Sequence, residues 1–545
     1  MRVSIWNHAH SAPSRLLRAA STLLLGLICA SCGENFRPVA QPIQGLQPSP
    51  APSHFIASIT TDGVGDNHRD SGAVSNMNVS GDSIQGTMKV GIAPVHAALT
   101  AAGAKLYAAN SAEDTVTSTI ISSAAVAATV SLPPSPFASI ILCSGNGTNA
   151  TYTYAGATQL FFVGDTVYVS GCATNGLNGV YTVTAASAGS FSVANATTAT
   201  DNPESVGAQA KIPNAVFANT TENNNMYVAS YGTNSVYVIN TGTDAVRAAV
   251  PVGIHPVALA ETPDARKVYV ANHGDSTSGG SVSVIDTVSD TAKTICLSGG
   301  APPSCTLGPL PVWAVARSDS EEIYVLDASG VIYAINTASD AVITSTFPPQ
   351  AGANFMFYDQ NFSRLYVTSP SSDSLRVFDV SAGAPVLVGI PIAIPAAPSS
   401  PCPASPVLPT SVTVLGDGSK AYVASYQVSG SSVCTQLSVI DTGSSTLTKT
   451  IPLTVASDTS AQTGCGKVGF RAFATSSGGG TNSNFKVYVA QCDAGSVAVI
   501  DSFPANGNPE DTFAGISLSA PLSTFPALPS GIPPPQNPVF LVAGP

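Results

Sequence analysis

Charged residues are scarce in this chain, and most of those present are acidic. Only 10% of its 545 residues are Asp, Glu, Lys or Arg, and the formal net charge is −12 at pH 7. A typical soluble protein has about 25% charged residues. The sequence contains no basic run. Because binding to nucleic acid requires clustered Lys and Arg, nucleic acid is not expected as a partner.

The short motifs of common catalytic sites are also missing. There is no HExxH motif, no GxSxG elbow and no phosphate-binding P-loop, and the chain has only 7 histidines. Two of them lie in polar loops beside carboxylates: His68 near Asp66 and Asp70, and His273 near Asp275. His with carboxylates could bind a metal, but polar turn residues explain both loops equally. We therefore predict no catalytic or cofactor-binding residue, and keep His68, His273 and Asp275 as weak metal-ligand candidates.

The N-terminus is typical of an export signal. Arg2, Arg15 and Arg18 precede an apolar stretch, Ala19 to Ala30, that is too short to span a bilayer. It ends in small residues before Cys32, which resembles the bacterial lipobox. The resemblance implies cleavage before Cys32, acylation of its thiol, and anchoring to the outer membrane or cell surface. An ordinary secretory signal cut near Ser31, with a periplasmic protein, is the alternative.

A Pro-rich tether is expected after the leader, because residues 33–53 contain five prolines and no apolar periodicity. The predicted organisation is a signal segment (1–32), the tether (33–53), a first repeat region (54–132), an insertion (133–211) and a second repeat region (212–545).

Both repeat regions consist of short β-strands. Copies of an apolar-Tyr-apolar-apolar strand recur, with Tyr269 minus Tyr227 equal to 42 and Tyr366 minus Tyr324 also equal to 42. The following strands end in Ile-Asp-Thr or a close variant, as at Ile285-Asp286-Thr287. A period of about 40–50 residues is typical of propeller blades.

These repeats resemble the YVTN family of β-propellers, in the strand seen here as Val268-Tyr269-Val270-Ala271-Asn272. The resemblance implies an all-β propeller of four-stranded blades around a channel. Seven repeats are complete. Residues 54–90 supply three further strands and Asn537 to Val542 supplies one, so both termini together would close an eighth blade. Seven blades, with one terminal piece packed elsewhere, is the alternative.

The insertion has strand and hairpin signals of its own, including Asn178-Gly179. It resembles a small β module found in bacterial and phage surface proteins, and we predict a β subdomain inserted between two blades.

Eight cysteines remain beyond the leader, an even number in an exported chain. In the propeller topology, the linker before a blade and the loop between its second and third strands lie on one face. Cys402 and Cys434 hold these two places in one blade, and Cys465 and Cys492 in the next. The predicted disulfides are Cys143–Cys172, Cys296–Cys305, Cys402–Cys434 and Cys465–Cys492, against the alternative of buried free thiols.

The strands expected to line the channel contain no Asp or Glu, which predicts a dry, aliphatic lining. Such a lining cannot activate water or hold a divalent cation. We expect a binding or scaffold module without a cofactor, with a protein or carbohydrate ligand on the face that carries the insertion. The alternatives are a lactonase-like hydrolase, with carboxylates from Asp66, Asp70 and Asp275, and a structural surface-layer component.

Overall fold

The computed structural model describes residues 55–61, 71–202, 207–220, 224–298, 300–302, 304–344, 351–398, 400, 402, 405–459, 465–467, 469–477, 486–503, 510–519 and 536–544. All of them belong to one structural unit, Gln41–Pro545. In this part of the chain the helices are two single turns of 3-10 type, Asn175–Leu177 and Pro370–Ser372. No helix in the described ranges is long and apolar enough to cross a membrane.

Before the insertion, the chain forms β1 (Phe55–Thr61), β2 (Ser71–Asn78), β3 (Ser83–Ile92), β4 (Pro94–Leu99), β5 (Lys105–Asn110), β6 (Thr115–Ile120) and β7 (Ala125–Ser131). The insertion contributes β8 (Phe137–Asn146), β9 (Asn149–Tyr154), β10 (Thr166–Ser170), β11 (Gly179–Ser187), β12 (Ser190–Ala194), β13 (Thr198–Asp201) and β14 (Gln209–Lys211).

The chain after the insertion forms β15 (Ala215–Thr220), β16 (Asn225–Ser230), β17 (Ser235–Asn240), β18 (Ala245–Pro251), β19 (Pro256–Glu261), β20 (Lys267–Asn272), β21 (Ser281–Asp286), β22 (Thr291–Cys296), β23 (Gly300–Ala301), β24 (Ser304–Cys305), β25 (Pro311–Ala316), β26 (Glu322–Asp327), β27 (Ile332–Asn336) and β28 (Ala341–Thr344). The remaining strands are β29 (Phe355–Asp359), β30 (Arg364–Ser369), β31 (Ser374–Asp379), β32 (Val386–Leu387), β33 (Ile392–Ala393), β34 (Leu408–Val414), β35 (Lys420–Ser429), β36 (Ser432–Asp441), β37 (Thr446–Ser457), β38 (Ala472–Ser476), β39 (Lys486–Gln491), β40 (Ser496–Asp501), β41 (Thr512–Ser519) and β42 (Asn537–Gly544).

These strands build eight antiparallel sheets, the blades of a propeller. Blade 1 is β42-β1-β2-β3, blade 2 is β4 to β7, blade 3 is β15 to β18, and blade 4 is β19 to β22. Blade 5 is β25 to β28, blade 6 is β29 to β33, blade 7 is β34 to β37, and blade 8 is β38 to β41. The inner strands contact one another in the ring order β42, β4, β15, β19, β25, β29, β34, β38 and back to β42. The predicted all-β propeller of eight blades is confirmed.

Strands from both termini close the ring, as predicted. β42 is the inner strand of blade 1 and pairs antiparallel with β1, from Phe55 opposite Gly544 to Thr61 opposite Asn537. All eight residues of β42 are buried. The two ends of the chain therefore share one sheet, which leaves no open edge at the junction.

The repeated tyrosine is the centre of the core in seven of the eight blades, blades 2 to 8. Tyr107, Tyr227, Tyr269, Tyr324, Tyr366, Tyr422 and Tyr488 are all fully buried in second strands. Four of them reach the next blade, where an Asp in the turn between the third and fourth strands binds both the Tyr hydroxyl and a neighbouring Lys. These four contacts are Tyr107 and Lys105 with Asp244, Tyr269 and Lys267 with Asp340, Tyr422 and Lys420 with Asp511, and Tyr488 and Lys486 with Asp82.

The acceptor in each contact is held in the left-handed backbone region, with φ of 52° at Asp244 and 56° at Asp340. Asp adopts this conformation more readily than most residues, and it turns the carboxylate toward the neighbouring blade. In three of these contacts the Asp stands four residues after an Asn at the end of the third strand, at Asp82, Asp244 and Asp340, so this motif joins blades as well as forming the turn.

The insertion folds into a small closed barrel. β8, β14, β10, β11, β12 and β9 pair in that order, β9 pairs back to β8, and β13 adds to the free edge of β8. Its own buried core contains Tyr152, Phe161, Leu177 and Phe191. The predicted inserted β subdomain is confirmed, and the barrel has a hydrophobic core separate from those of the blades.

All four predicted disulfides are present. The Cα atoms lie 6.2 Å apart in Cys143–Cys172, 5.2 Å in Cys296–Cys305, 6.2 Å in Cys402–Cys434 and 5.8 Å in Cys465–Cys492. The last three bridges lie on the propeller face that carries the inserted barrel, because each one involves a linker before a first strand.

Candidate functional site at the channel mouth

Aromatic rings fill the centre of the propeller. They come from six different blades and include His96, Phe217, Trp313, Phe355, Phe473 and Phe540, with Phe470 added from the linker before β38. Adjacent ring centroids lie 3.8 Å apart for His96 and Phe217, 4.7 Å for Trp313 and Phe355, and 4.4 Å for Phe473 and Phe540. The predicted aliphatic lining was therefore wrong, since a layer of stacked aromatics closes the channel.

His96 is part of this layer and is a packing residue with no sign of ligand chemistry. It is 6% exposed, stacks on Phe217, and accepts a hydrogen bond on Nδ1 from the Ala218 amide at 3.3 Å. Burial lowers the pKa of His96 to about 3, because the apolar surroundings disfavour the charged imidazolium. The ring therefore stays neutral and apolar in character over the physiological pH range.

The inner strands also end in buried acids that the sequence analysis placed outside them. β19 extends to Glu261 and β29 to Asp359, which are 1% and 2% exposed. Burial raises the pKa of Asp359, although the Asn361 amide donates a hydrogen bond to its carboxylate at 2.9 Å. Both acids are at the far ends of their strands from the channel mouth.

A bulge in each of six inner strands places one residue at the channel mouth. The register skips Val95 in β4, Val216 in β15, Val257 in β19, Val312 in β25, Thr410 in β34 and Val539 in β42. A bulge leaves the extra residue without a ladder partner and re-aims its side chain. In five of these strands a Pro precedes the bulged residue, which suits a position where no ladder hydrogen bond is donated.

Five of the six bulged residues line a cavity of about 440 Å³. Its floor is the aromatic layer, through His96, Phe217, Trp313 and Phe470. One wall is apolar and comes from Val95, Val216, Val257 and Val312 on four consecutive blades, 2 to 5. Val216, Val257 and Val312 are only half-buried, so solvent reaches this wall.

The opposite wall is polar. It comes from blades 6 to 8 and contains Asn354, Thr410, Tyr426, Lys467 and Arg471. No Asp or Glu is among the residues that line the cavity in the described part of the chain. The cavity is therefore amphipathic, with an apolar half and a polar, cationic half that face each other across the channel.

Arg471 is neutralised within its wall. It is 7% exposed and binds Asp493 through Nε at 2.6 Å and through Nη2 at 3.0 Å, and it also binds Asp458. Its guanidinium carbon lies 5.0 Å from the centre of the Tyr426 ring. Burial alone would lower the pKa of Arg471, but the hydrogen bonds and charges of Asp493 and Asp458 together outweigh it and raise the pKa.

Lys467 differs from Arg471, because its ammonium contacts a backbone carbonyl and an aromatic ring of the barrel. Its Nζ donates to the carbonyl of Val180 in the barrel at 3.1 Å and lies 5.6 Å from the centre of the Tyr181 ring. Gly469 allows this linker to pass close to blade 1, since a Cβ there would lie 2.6 Å from the Cβ of Val539. The linker thereby covers the sixth bulged residue and brings Lys467 to the cavity.

The barrel forms part of the cavity's surroundings through Thr166 and is joined to the blades by buried polar contacts. The Tyr168 hydroxyl bonds the Ser111 hydroxyl at 2.5 Å, the Ser135 hydroxyl donates to the Ile212 carbonyl at 2.6 Å, and Lys211 pairs with Asp114 at 2.6 Å. These contacts hold the barrel on blade 2 beside the channel mouth.

A second contact between the barrel and the propeller contains a pair of ionisable groups, His255 and Asp165. His255 stacks on Tyr231, with ring centroids 4.1 Å apart, and its Nε2 is 3.8 Å from Oδ1 of Asp165 in the barrel. The Gly274 carbonyl lies 3.1 Å from His255 Nδ1 and can only accept, so Nδ1 carries the proton. Burial raises the pKa of Asp165 to about 6 and lowers the pKa of His255, so burial shifts both groups toward their neutral forms.

The weak metal-ligand candidates receive no new support. His68, Asp66 and Asp70 lie outside the described residues. His273 Nδ1 is 3.4 Å from the Gly274 carbonyl, and Asp275 accepts hydrogen bonds from its own turn, from Thr277 and Ser278 at 2.7 Å. In the described ranges, the one group of three candidate ligands within bonding reach of an ion is Asp319, Glu321 and Glu322, and Arg317 pairs with all three.

The cavity residues were missed by the sequence analysis, although a signal for them exists. Pro-Val occurs at the start of β4, β19, β25 and β42, and a large ring follows it directly in three of these strands, at His96, Trp313 and Phe540. We interpreted these residues as ordinary apolar strand positions.

No family model matches the sequence, and no curated protein is significantly similar to it. The resemblance to YVTN repeats therefore remains a prediction. Among solved structures, AztD from Citrobacter koseri is similar with 11% identity and a TM-score of 0.46, over 90% of this chain and 98% of that one. Hydrazine synthase from Kuenenia stuttgartiensis has 13% identity and a TM-score of 0.41, over 72% of this chain and 97% of that one. The dihydro-heme d1 dehydrogenase NirN has 13% identity and a TM-score of 0.37, over 76% and 77%.

Proposed function

We propose that this chain is an exported binding module that holds a small molecule in the channel-mouth cavity, beside the inserted barrel. The observation that carries the proposal is the cavity itself. Its volume of about 440 Å³ falls within the ~300–1,000 Å³ of ordinary ligand pockets, and such pockets combine apolar walls with a few polar groups. Four bulged valines supply the apolar wall, and the bulged Thr410 belongs to the polar wall together with Lys467 and Arg471.

The first test uses N-phenyl-1-naphthylamine, a neutral apolar fluorophore, as the probe. We expect a saturable rise in fluorescence with the wild-type protein. Val257→Glu should weaken binding by at least about tenfold, since a carboxylate in the apolar wall must be desolvated when the probe enters. Val288→Glu is the matched control, because Val288 is 89% exposed in a turn on the opposite face. Equal binding by the two variants, or no saturable binding by the wild type, would contradict the proposed cavity function.

Export and anchoring belong to the same proposal. Four disulfides support an oxidising compartment, because such bonds form and persist outside the reducing cytosol. The leader, Cys32 and the tether lie outside the described residues, so acylation of Cys32 and attachment to the outer membrane or cell surface rest on the lipobox resemblance.

Mass spectrometry of the mature N-terminus decides the anchoring. We expect cleavage before Cys32 and an acyl mass on that residue, and a Cys32→Ser variant should leave the membrane fraction. A free N-terminus at or after Ser31 in the wild-type protein would show an ordinary secretory signal and a periplasmic protein.

A further inference from the structure

We infer that the molecule held at the channel mouth is an apolar organic anion whose acidic group binds Lys467. This inference rests on the proposed function and adds the chemical class of the ligand. It depends on three features of the cavity: Lys467, the one cation among its described lining residues that pairs with no described carboxylate, the apolar wall that faces that cation, and the aromatic floor.

The charge balance of the polar wall singles out Lys467. The Arg471 charge is already met by Asp458 and Asp493. Lys467 instead lies over a Tyr181 ring and bonds one carbonyl, that of Val180. An ammonium has three donors, so donors remain for a ligand, and a carboxylate or sulfonate forms charge-assisted hydrogen bonds with them.

The same contacts fix the position of the ammonium before a ligand arrives. The Val180 carbonyl and the Tyr181 ring belong to the barrel, while Lys467 comes from the linker before blade 8. The side chain therefore bridges the barrel and the ring at the edge of the cavity. A preorganised cation loses less side-chain entropy on binding than a free surface lysine.

The rest of the cavity suits an apolar body. Val216, Val257 and Val312 form a half-buried wall on the side of the channel opposite Lys467, and the aromatic layer below it offers flat rings. A second acidic group on the ligand would meet no unpaired cation among the lining residues of the described chain. These features together favour one acidic group on a hydrophobic body.

The test compares two probes that share a ring system and differ by one sulfonate: 8-anilinonaphthalene-1-sulfonate and the neutral N-phenyl-1-naphthylamine. We expect the wild type to bind the sulfonate more tightly. Lys467→Met should weaken sulfonate binding by about tenfold, which is the effect of losing one hydrogen bond to a charged group, and should change binding of the neutral probe much less. Lys467→Arg keeps the charge and should keep the preference. High salt should weaken only the sulfonate complex.

The outcomes separate this inference from the proposed function. One result would overturn the inference but not the cavity function. In that result, the neutral and anionic probes bind equally, Val257→Glu weakens both, and Lys467→Met has no effect. If neither probe binds in a way that Val257→Glu weakens, both the inference and the proposed function are overturned. Displacement of the bound sulfonate by 2-naphthoate or by decanoate would support an organic acid with an aromatic or an alkyl body, respectively. Displacement by neither would contradict the inference.

Discussion

Truncation of the chain after Gln536 is expected to leave no cooperatively folded propeller. β42 carries Val539, Phe540, Leu541 and Val542, each at most 2% exposed. Burying such side chains stabilises by about 1.5–3 kcal/mol each, or on the order of 10 kcal/mol together. That sum is comparable to the whole free energy of unfolding of a domain, about 5–15 kcal/mol. Truncation would also uncover one edge of β1 and remove the Phe540 ring from the centre of the aromatic layer.

Thermal unfolding followed by near-ultraviolet circular dichroism measures this effect. A synthetic peptide of residues 536–545 added to the truncated protein should restore the cooperative transition, because an extended peptide can add to an open sheet edge. In the full chain, Phe540→Ala should cost about 3–5 kcal/mol. Phe513→Ala, at a position 41% exposed on an outer strand, should change stability by less than about 0.5 kcal/mol. An unchanged melting temperature after truncation would show that β42 is dispensable for ring closure.

The ring architecture could be predicted because its signals are local. In seven of the eight blades the second strand carries a tyrosine between apolar residues, and these tyrosines are fully buried. The closing blade followed from two incomplete pieces whose missing strands are complementary, His54 to Val90 and Asn537 to Val542. The pairing of Cys402 with Cys434 followed from blade topology alone, since it required only that two loops share a face.

The contacts between blades could be predicted only in part from the sequence. Asp244 and Asp340 occupy turns that can be predicted from the sequence. We assigned only turn formation to the Asn240 and Asn336 that precede them. The partners of the two aspartates lie in the preceding blades, with Lys105 139 residues and Lys267 73 residues away along the chain. No local pattern gives that distance, because it depends on how the sheets are stacked around the ring.

The candidate site could not be predicted for a related reason. A bulge shifts the strand register by one residue, and one residue decides whether a side chain lies between blades or at the channel mouth. Val312 is therefore indistinguishable by composition from Val315, the core valine of the same strand. The aromatic floor is equally hidden, because each blade contributes at most one or two rings and the residue types differ, from His96 to Trp313 and Phe540.

Arg471→Met is expected to destabilise the protein by about 3–5 kcal/mol, although the substitution keeps most of the side-chain volume. Removing one partner of a buried ion pair leaves the other charge uncompensated, at a cost of that size. Here the group left uncompensated is the carboxylate of Asp493, whose side chain is 3% exposed. Asp458, at 25%, can recover water more easily. The Tyr426 ring would also lose the guanidinium that lies over it.

Chemical denaturation of three variants separates the buried charge from simple loss of an arginine. Arg266→Met is the matched control, because Arg266 is 75% exposed and lies 3.5 Å from Asp264, so its loss should cost at most about 1 kcal/mol. Adding Asp493→Asn to Arg471→Met should recover part of the lost stability, since the double variant no longer buries an unpaired carboxylate. Equal effects of Arg471→Met and Arg266→Met would show that the Arg471 network does not hold the polar wall. Because Arg471 itself lines the cavity, Arg471→Met should also weaken binding of the neutral probe, whereas Arg266→Met should not.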